Sequence, residues 1–293
     1  MKLKITNLTK DYKGLRALDN FTYSFSEGVY GLLGPNGAGK STLMNIITDN
    51  VTATSGEITF DEKNILELGK DFRKILGFMP QQQGLYPNFT LVRFLYYMAA
   101  LKGIPTKEAT KQIDSLIKTV NLEDARNKRL GGFSGGMKQR ALIAQALLGN
   151  PKVIILDEPT AGLDPKERIR IRNLISEISF DKIVIIATHV VSDIEFIAKD
   201  ILLLKKGQII ASDKPHILCE QINGKTFEIK TDLDNVKTVC REFKVGNISK
   251  DNENVYIRVI SDKQPENYAF TAVKPTLEDL YLNYFDEDLA YEN

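Results

Sequence analysis

The segment Gly34-Pro-Asn-Gly-Ala-Gly39-Lys40-Ser41 sets glycines, a lysine and a hydroxyl at the spacing of a phosphate-binding loop. Glycines let successive backbone N–H groups point inward, and the N-terminus of a following helix adds positive potential. In such a loop Lys40 reaches the β and γ phosphates of a nucleotide and Ser41 ligates Mg²⁺. A glycine turn ahead of any helix would explain the glycines alone. Here an apolar strand, Val29 to Leu33, leads in, and a helical face of Leu43, Met44, Ile46 and Ile47 leads out, which is the context the motif requires.

Two more groups carry chemistry. Leu156-Asp157-Glu158-Pro159 puts two carboxylates after an apolar run, at the strand edge where ligands of open α/β sheets sit. Consecutive side chains there point in different directions, so Asp157 can hold Mg²⁺, directly or through water, while Glu158 polarises an attacking water as general base. Taken alone, the pair reads equally well as a strand cap. Phe133-Ser134-Gly135-Gly136-Met137 starts a helix running to Leu148 and closed by Gly149-Asn150-Pro151. A serine cap with two glycines at the positive end of a helix is a second anion site, 94 residues after Lys40 and 23 before Asp157.

The elements that must position these groups follow from the hydrophobic pattern. Phe21, Tyr23 and Phe25 alternate with polar residues and Glu27-Gly28 turns into Val29 to Leu33, which gives strand, turn, strand. Asp49-Asn50 ends the helix after the loop, and a strand from Glu57 to Phe60 follows Ser55-Gly56. The runs Val153 to Leu156 and Ile183 to Ala187 lack the alternation of a sheet with one wet face, and suit parallel strands covered on both sides. Between the motifs, residues 84–150 read helical: Thr90 caps Leu91 to Leu101, and Lys107 to Val120 aligns Ile113, Leu116, Ile117 and Val120. Phe78, Leu85, Tyr86, Phe89, Phe94, Tyr96 and Tyr97 crowd the start of this insert, and helical spacing assigns most of them to the core. The pattern changes near His216 to Asn223. Beyond it come a strand at Thr226 to Lys230, a helix near Leu233 to Phe243, strands around Val245 to Ile248 and Asn254 to Ile260, and a helix from Thr276. The expectation is α/β: a domain over residues 1–215 with a mixed sheet core and a helical subdomain at about 84–150, then a small α+β appendage over 216–293.

Composition narrows the function. At 293 residues and 43% apolar content the chain can bury a substantial core. With 39 basic and 38 acidic residues the net charge is +1, so no global field recruits nucleic acid. Cys219 and Cys240, with only His189 and His216 as imidazole partners, make neither a disulfide framework nor a zinc site. The N-terminus alternates like a strand and lacks a signal peptide's apolar block, so a reducing compartment is expected. No apolar run approaches the ~18 residues needed to span a bilayer, so a membrane role must come through a partner.

In this order, the motifs resemble those of the ATP-binding subunits of ABC transporters over roughly residues 1–215. The resemblance implies a P-loop NTPase fold of the ABC cassette type and an ATPase working with ATP and Mg²⁺. It implies nucleotide contacts from Gly34, Asn36, Gly37, Ala38, Gly39, Lys40, Ser41 and Thr42, and it implies that Ser134, Gly135 and Gly136 close over a γ-phosphate held by a second molecule. Gln81, in Gly77-Phe-Met-Pro-Gln81, is similar to the glutamine that links Mg²⁺ and the attacking water to the transmembrane partner; Gln82 and Gln83 follow it. Asp164, in Ala161-Gly-Leu-Asp164, is similar to the residue that crosses the dimer interface, and His189 to the γ-phosphate histidine. Tyr12 stands where the family stacks adenine on an aromatic. Phe133 and Met137 replace the usual leucine and glutamine and leave the serine and glycines intact.

The implied partners are a transmembrane permease and a second cassette, expected to be another copy of the chain, with no nucleic acid. Membrane contact would come only through the permease, at the cytoplasmic face. Leu85, Tyr86 and Phe89 border the groove that, in related transporters, receives a short helix of the membrane subunit. Pro275-Thr-Leu-Glu-Asp-Leu-Tyr281-Leu-Asn-Tyr-Phe285 is similar to the closing segment of ATPases from bacterial exporters with a separate permease, which points to drug or antimicrobial-peptide export. The alternative is a soluble ABC ATPase acting on ribosomes or nucleic acid. Such relatives carry two cassettes or a long coiled coil between the motifs, and this sequence has neither. A degenerate cassette that binds without hydrolysing is a third reading, disfavoured because every hydrolytic position is filled.

Overall fold

In the computed structural model of the protein, which describes residues 1–81, 84–252 and 254–285, the chain separates into two units, Met1–Ile210 and Ala211–Asn293. The first opens with β1 (Leu3–Tyr12), β2 (Leu15–Phe25) and β3 (Gly28–Leu33), then α1 (Lys40–Ile47) and β4 (Ser55–Phe60). The short β5 (Lys63–Asn64), α2 (Ile65–Leu68) and α3 (Lys70–Lys74) lead to β6 (Leu76–Met79). The helices α4 (Leu91–Leu101), α5 (Thr106–Thr119) and α6 (Gly135–Leu147) follow. The chain then returns through β7 (Val153–Asp157), α7 (Pro165–Ile178), β8 (Ile183–Ala187), β9 (Asp200–Lys205) and β10 (Gln208–Asp213).

The strands form two sheets. β2-β1-β4-β5 is antiparallel throughout, while β10-β9-β3-β8-β7-β6 is parallel from β9 to β6. The interiors of the parallel strands are apolar, as strands covered on both faces must be: Ile154, Ile155, Val184 and Ile185 are all fully buried. Leu43, Met44, Ile46 and Ile47 of α1 share one core with Leu3, Ile5 and Phe21 of the antiparallel sheet and with Ile155, Ile185 and Leu202 of the parallel one. Each such side chain contributes about 1.5–3 kcal/mol by leaving water. α1 is therefore held firmly, and with it the loop that precedes it.

Register does the rest. Ala187 pairs with Leu32 on one side and Asp157 on the other, so β3, β7 and β8 end at one edge. The residues that follow, the Gly34 loop, Glu158 and Thr188-His189, emerge there together.

The insert is helical, as its spacing suggests. Thr90 caps α4, its hydroxyl accepting from the Arg93 N–H at 3.3 Å, and Ser134 caps α6 by accepting from the Met137 N–H, also at 3.3 Å. The expectation that most of the aromatics here are core is wrong. Phe94 is fully buried, but Tyr86 and Tyr97 are 43% and 38% exposed and Leu85, Phe89 and Tyr96 are only half-buried. Leu91, Phe94 and Leu95 face inward, and Arg93, Tyr97 and Leu101, at the same four-residue spacing, face out. Periodicity defines a stripe without saying which stripe is inside. The outward rings satisfy each other: Tyr86 stacks on Phe89 at 5.0 Å between centroids, Tyr97 meets both edge-on, and the Arg93 guanidinium lies 4.4 Å over Phe89.

The second unit contains α8 (Pro215–Glu220), β11 (Thr226–Thr231), α9 (Val236–Glu242), β12 (Lys244–Asp251), β13 (Asn254–Ile260), β14 (Ala269–Ala272) and α10 (Leu277–Phe285). Its antiparallel sheet runs β12-β13-β11-β14 over a core of Phe227, Ile229, Val239, Val255, Ile257 and Val259. β14 is a strand that sequence patterning does not mark, since Ala269-Phe-Thr-Ala272 is too short to alternate visibly. α9 starts three residues later than the pattern suggests, because Asp232 accepts from the Asn235 N–H at 3.0 Å and makes a turn first. Thr276 and Asp279 form a reciprocal cap at the start of α10, and buried Asp279 also accepts from Arg258 of β13 at 2.9 and 2.7 Å. Arg258 and the Thr276 N–H together hold the Asp279 carboxyl below the usual range, against the burial that raises it.

Candidate active site

The loop between β3 and α1 takes a conformation that only glycine tolerates. At Gly39, with φ +106°, a Cβ would lie 2.5 Å from the Ala17 carbonyl oxygen. Gly37, at φ +80°, has open space where its side chain would be, so its backbone can be approached closely. Lys40 folds back over the loop and donates to the carbonyls of Gly34 and Pro35, the latter at 3.0 Å. Burial pulls the Lys40 ammonium below its ordinary pKa, against the opposing charges of Glu158 and Asp157.

Residues 36–42 line a cleft with Tyr12, Leu15, Ala17, Gln81, Asp157 and Glu158. The cleft holds about 200 Å³. Enclosed ligand pockets usually run to about 300–1,000 Å³, so this one is too small to surround a nucleotide by itself. Burial, then the neighbouring charge of Glu158, pushes the Asp157 carboxyl up to about 6, with Lys40 opposing. Tyr12 ends β1 with an exposed ring and the Lys10 ammonium 5.0 Å from its centroid.

Glu158 is the most constrained member. It is buried, its φ is +51°, and its N–H donates to the Ala187 carbonyl at 2.9 Å, extending the β7–β8 ladder. Its Oε1 accepts from the His189 N–H at 3.1 Å and lies 2.7 Å from His189 Nδ1, while Oε2 accepts from the Thr188 hydroxyl at 3.2 Å. The His189 side chain is 61% exposed, so the imidazole joins a buried carboxylate to the surface. A non-glycine residue in left-handed backbone persists only where its surroundings over-determine it, as they do here.

Several sequence-derived candidates lie elsewhere. Gly34, Ser134, Gly135, Gly136 and Asp164 are not among the described residues lining the cleft, and His189 reaches it only through Glu158. Ser134 and Gly135 are exposed; Gly136 is buried, and a Cβ there would come 2.4 Å from Glu167 Oε2. Asp164 caps α7, its Oδ1 accepting from the Glu167 N–H at 3.0 Å. Gln82 and Gln83 lie outside the described residues. Sequence reasoning missed Thr188, and it missed buried Thr160 and Asp193, whose side chains hydrogen-bond to each other. A hydroxyl at the polar end of an apolar strand is the one signal that could have marked Thr188.

The donors suit a hard cation. Ser41, Gln81 and Asp157 offer oxygens in one cleft, and no cluster of three His, Cys, Asp or Glu occurs among the described residues. That pattern fits Mg²⁺, which uses one or two carboxylates and shares phosphate oxygens.

Residues 18–161 match the family model described as ABC transporter. The chain is 36% identical over 228 residues to an ABC transporter ATP-binding protein of Bacillus subtilis named YxlF, covering 78% of this chain and 76% of that one. The chain belongs to the ABC transporter ATP-binding family. This cassette is also 29% identical over 300 residues to the Nod factor export ATP-binding protein I of Rhizobium meliloti, covering 98% of this chain and 89% of the relative. It spans only a quarter of ABC transporter A family member 8 of Dictyostelium discoideum, at 36% identity over 220 residues. Among solved structures it is similar to a dimeric bacterial ABC transporter cassette, with a TM-score of 0.65, 31% identity, and coverage of 72% of this chain and 98% of the other. A post-hydrolysis dimer of that same cassette is bound to ADP and Pi. The fold is thus the P-loop ABC cassette fold, and the family is one of ATPases.

Proposed function

We propose that the cassette hydrolyses ATP to drive export through a membrane protein encoded separately, at the cytoplasmic face of a membrane. The observation that carries the hydrolytic part is the buried carboxylate of Glu158, fixed by Thr188 and His189 in the same cleft as the phosphate loop. Glu158 takes the proton of the attacking water. Lys40 and the backbone of residues 34–42 hold the phosphates, His189 contacts the γ-phosphate, and Tyr12 stacks on adenine. Ser41, Asp157 and Gln81 hold Mg²⁺, which when bound offsets charge on the phosphate oxygens. Positioning and electrostatics supply the catalysis.

Ser134, Gly135, Gly136 and Asp164 complete the site of a second copy. The exposure of Ser134, Gly135 and Asp164 away from the cleft, and the cleft's small volume, support this reading, as does the dimeric relative. A separate permease is supported by the described residues, among which no helix is long and apolar enough to cross a membrane. Export rests on the rhizobial relative, named for Nod factor export, whose match extends across the appendage proposed for residues 216–293. Leu85, Tyr86 and Phe89 border the docking groove, an assignment their partial exposure supports.

The test is Glu158→Gln. ATP binding should persist, phosphate release should fall by about 10²–10⁴-fold, and ATP should trap a dimer on size exclusion. Wild-type turnover by this variant would remove Glu158 from its role.

A further inference from the structure

We propose that Asp193 and Thr160 form a positioning clamp that holds Glu158 and His189 in working register, an inference that rests on the assignment of Glu158 as general base. Glu158 sits on a turn closed by the Ala161 N–H donating to its own carbonyl at 3.2 Å, and Thr160 lies inside that turn. His189 opens a loop that curls through Val191–Asp193, where the Asp193 N–H donates to the Val190 carbonyl at 3.1 Å. Besides the two bonds from His189 to Glu158 Oε1, two hydroxyl hydrogen bonds cross between these segments. The Thr188 hydroxyl donates to Glu158 Oε2, and the Thr160 hydroxyl donates to Asp193 Oδ2.

Both bonds are buried, the first between Thr188 and Glu158 at 0% and 7% exposure. Thr160 and Asp193 are 1% and 4% exposed, whereas the His189 ring is largely in solvent. The bond lies two residues after Glu158 and four after His189, so it fixes both loops just outside the reacting pair. The Asp193 loop is anchored again from α7, where Arg172 Nη1 donates to the Ser192 carbonyl at 2.6 Å. The Thr188 hydroxyl also accepts from the Val190 N–H at 3.0 Å, tying the start of the same loop.

The need for such a clamp follows from the backbone. Left-handed Glu158 relaxes unless its neighbours prevent it, and relaxation would turn the carboxylate away from the cleft. A buried carboxylate without its hydroxyl partner is also costly, so the pair holds together for its own reasons. Neither Thr160 nor Asp193 lines the cleft. Their effect on turnover is exerted through Glu158 and His189, without contact to the nucleotide.

The experiment compares the full chain with Thr160→Val, Thr160→Ser, Asp193→Leu and the Thr160→Val/Asp193→Leu pair, with Glu158→Gln in parallel. Single-turnover hydrolysis and ATP affinity are measured separately. Thr160→Val, which keeps the volume and loses the hydroxyl, should slow hydrolysis about 10- to 100-fold with ATP affinity within about twofold of wild type. Thr160→Ser should restore the rate, and the double variant should be no slower than Asp193→Leu, since both remove one interaction. Wild-type rates from Thr160→Val, beside a dead Glu158→Gln, would overturn the clamp alone. Parallel loss of affinity and rate would overturn it too, in favour of a general packing role. Hydrolysis by Glu158→Gln would instead sink the general-base assignment.

Discussion

The cleft at the ends of β3, β7 and β8 and the start of α6 at Ser134, the two proposed anion sites, are built in opposite ways. In the cleft, Lys40, Asp157 and Glu158 are crowded and partly or wholly withdrawn from water, so burial displaces Lys40 downward and Asp157 up to about 6. At Ser134 an exposed hydroxyl and an exposed glycine carry no ionisable group and make a single cap bond at 3.3 Å. Packed, partly buried charges need a rigid scaffold, which the parallel sheet supplies. Bare N–H groups and a hydroxyl need only to stay accessible. The contrast suits the proposed site of unlike halves, in which one molecule contributes the charges and the other contributes dipoles.

The most severe test of that contrast is complementation. Lys40→Met and Ser134→Arg should each abolish hydrolysis alone, whereas an equal mixture should recover about a quarter of wild-type turnover, since half the dimers are mixed and one of their two sites is intact. No recovery would mean both ends serve the same molecule.

Gly136→Ala probes the one buried constraint at the bare end. The new methyl would press on Glu167, which is already held by Arg170 and near Arg140, and should cost about 1–3 kcal/mol in urea unfolding. Asp157→Asn probes the crowded end in nucleotide- and metal-free protein. A carboxyl whose pKa rises from 3.8 to about 6 on folding binds its proton more tightly when folded, so its ionised form opposes folding above pH 6. The variant should therefore be more stable than wild type at pH 7, by on the order of 1 kcal/mol after allowance for solvent screening. The gain should fade as pH drops from 6 towards 4, which thermal melts across that range would show. Ser134→Ala should cost least, about 0.5–1 kcal/mol from the lost cap, by the same urea measurement.

Sequence reasoning was strongest where chemistry is local. The phosphate loop needs its glycines, Lys40 and Ser41 within eight residues, and the strand before and helix after it are equally local. The edge placement of Asp157 and Glu158 followed from two apolar runs. What was illegible depends on which distant segments meet. The bond between Glu158 and His189 spans 31 residues, and that between Thr160 and Asp193 spans 33. His189 was marked by its place at the end of an apolar strand about 31 residues after Glu158, but nothing in the sequence distinguishes Thr160 and Asp193 from other hydroxyls and acids in turns. The outward aromatics on α4 were misplaced because Phe94 and Tyr97 obey the same helical period and differ only in what packs against them.

Lys40 has a further consequence. Because its ammonium rests on the carbonyls of Gly34 and Pro35, it braces the loop from within. In the proposed role, a phosphate would displace an internal partner without having to organise a slack loop. Binding becomes an exchange reaction, and the vacated carbonyls can recapture the lysine as soon as the anion leaves.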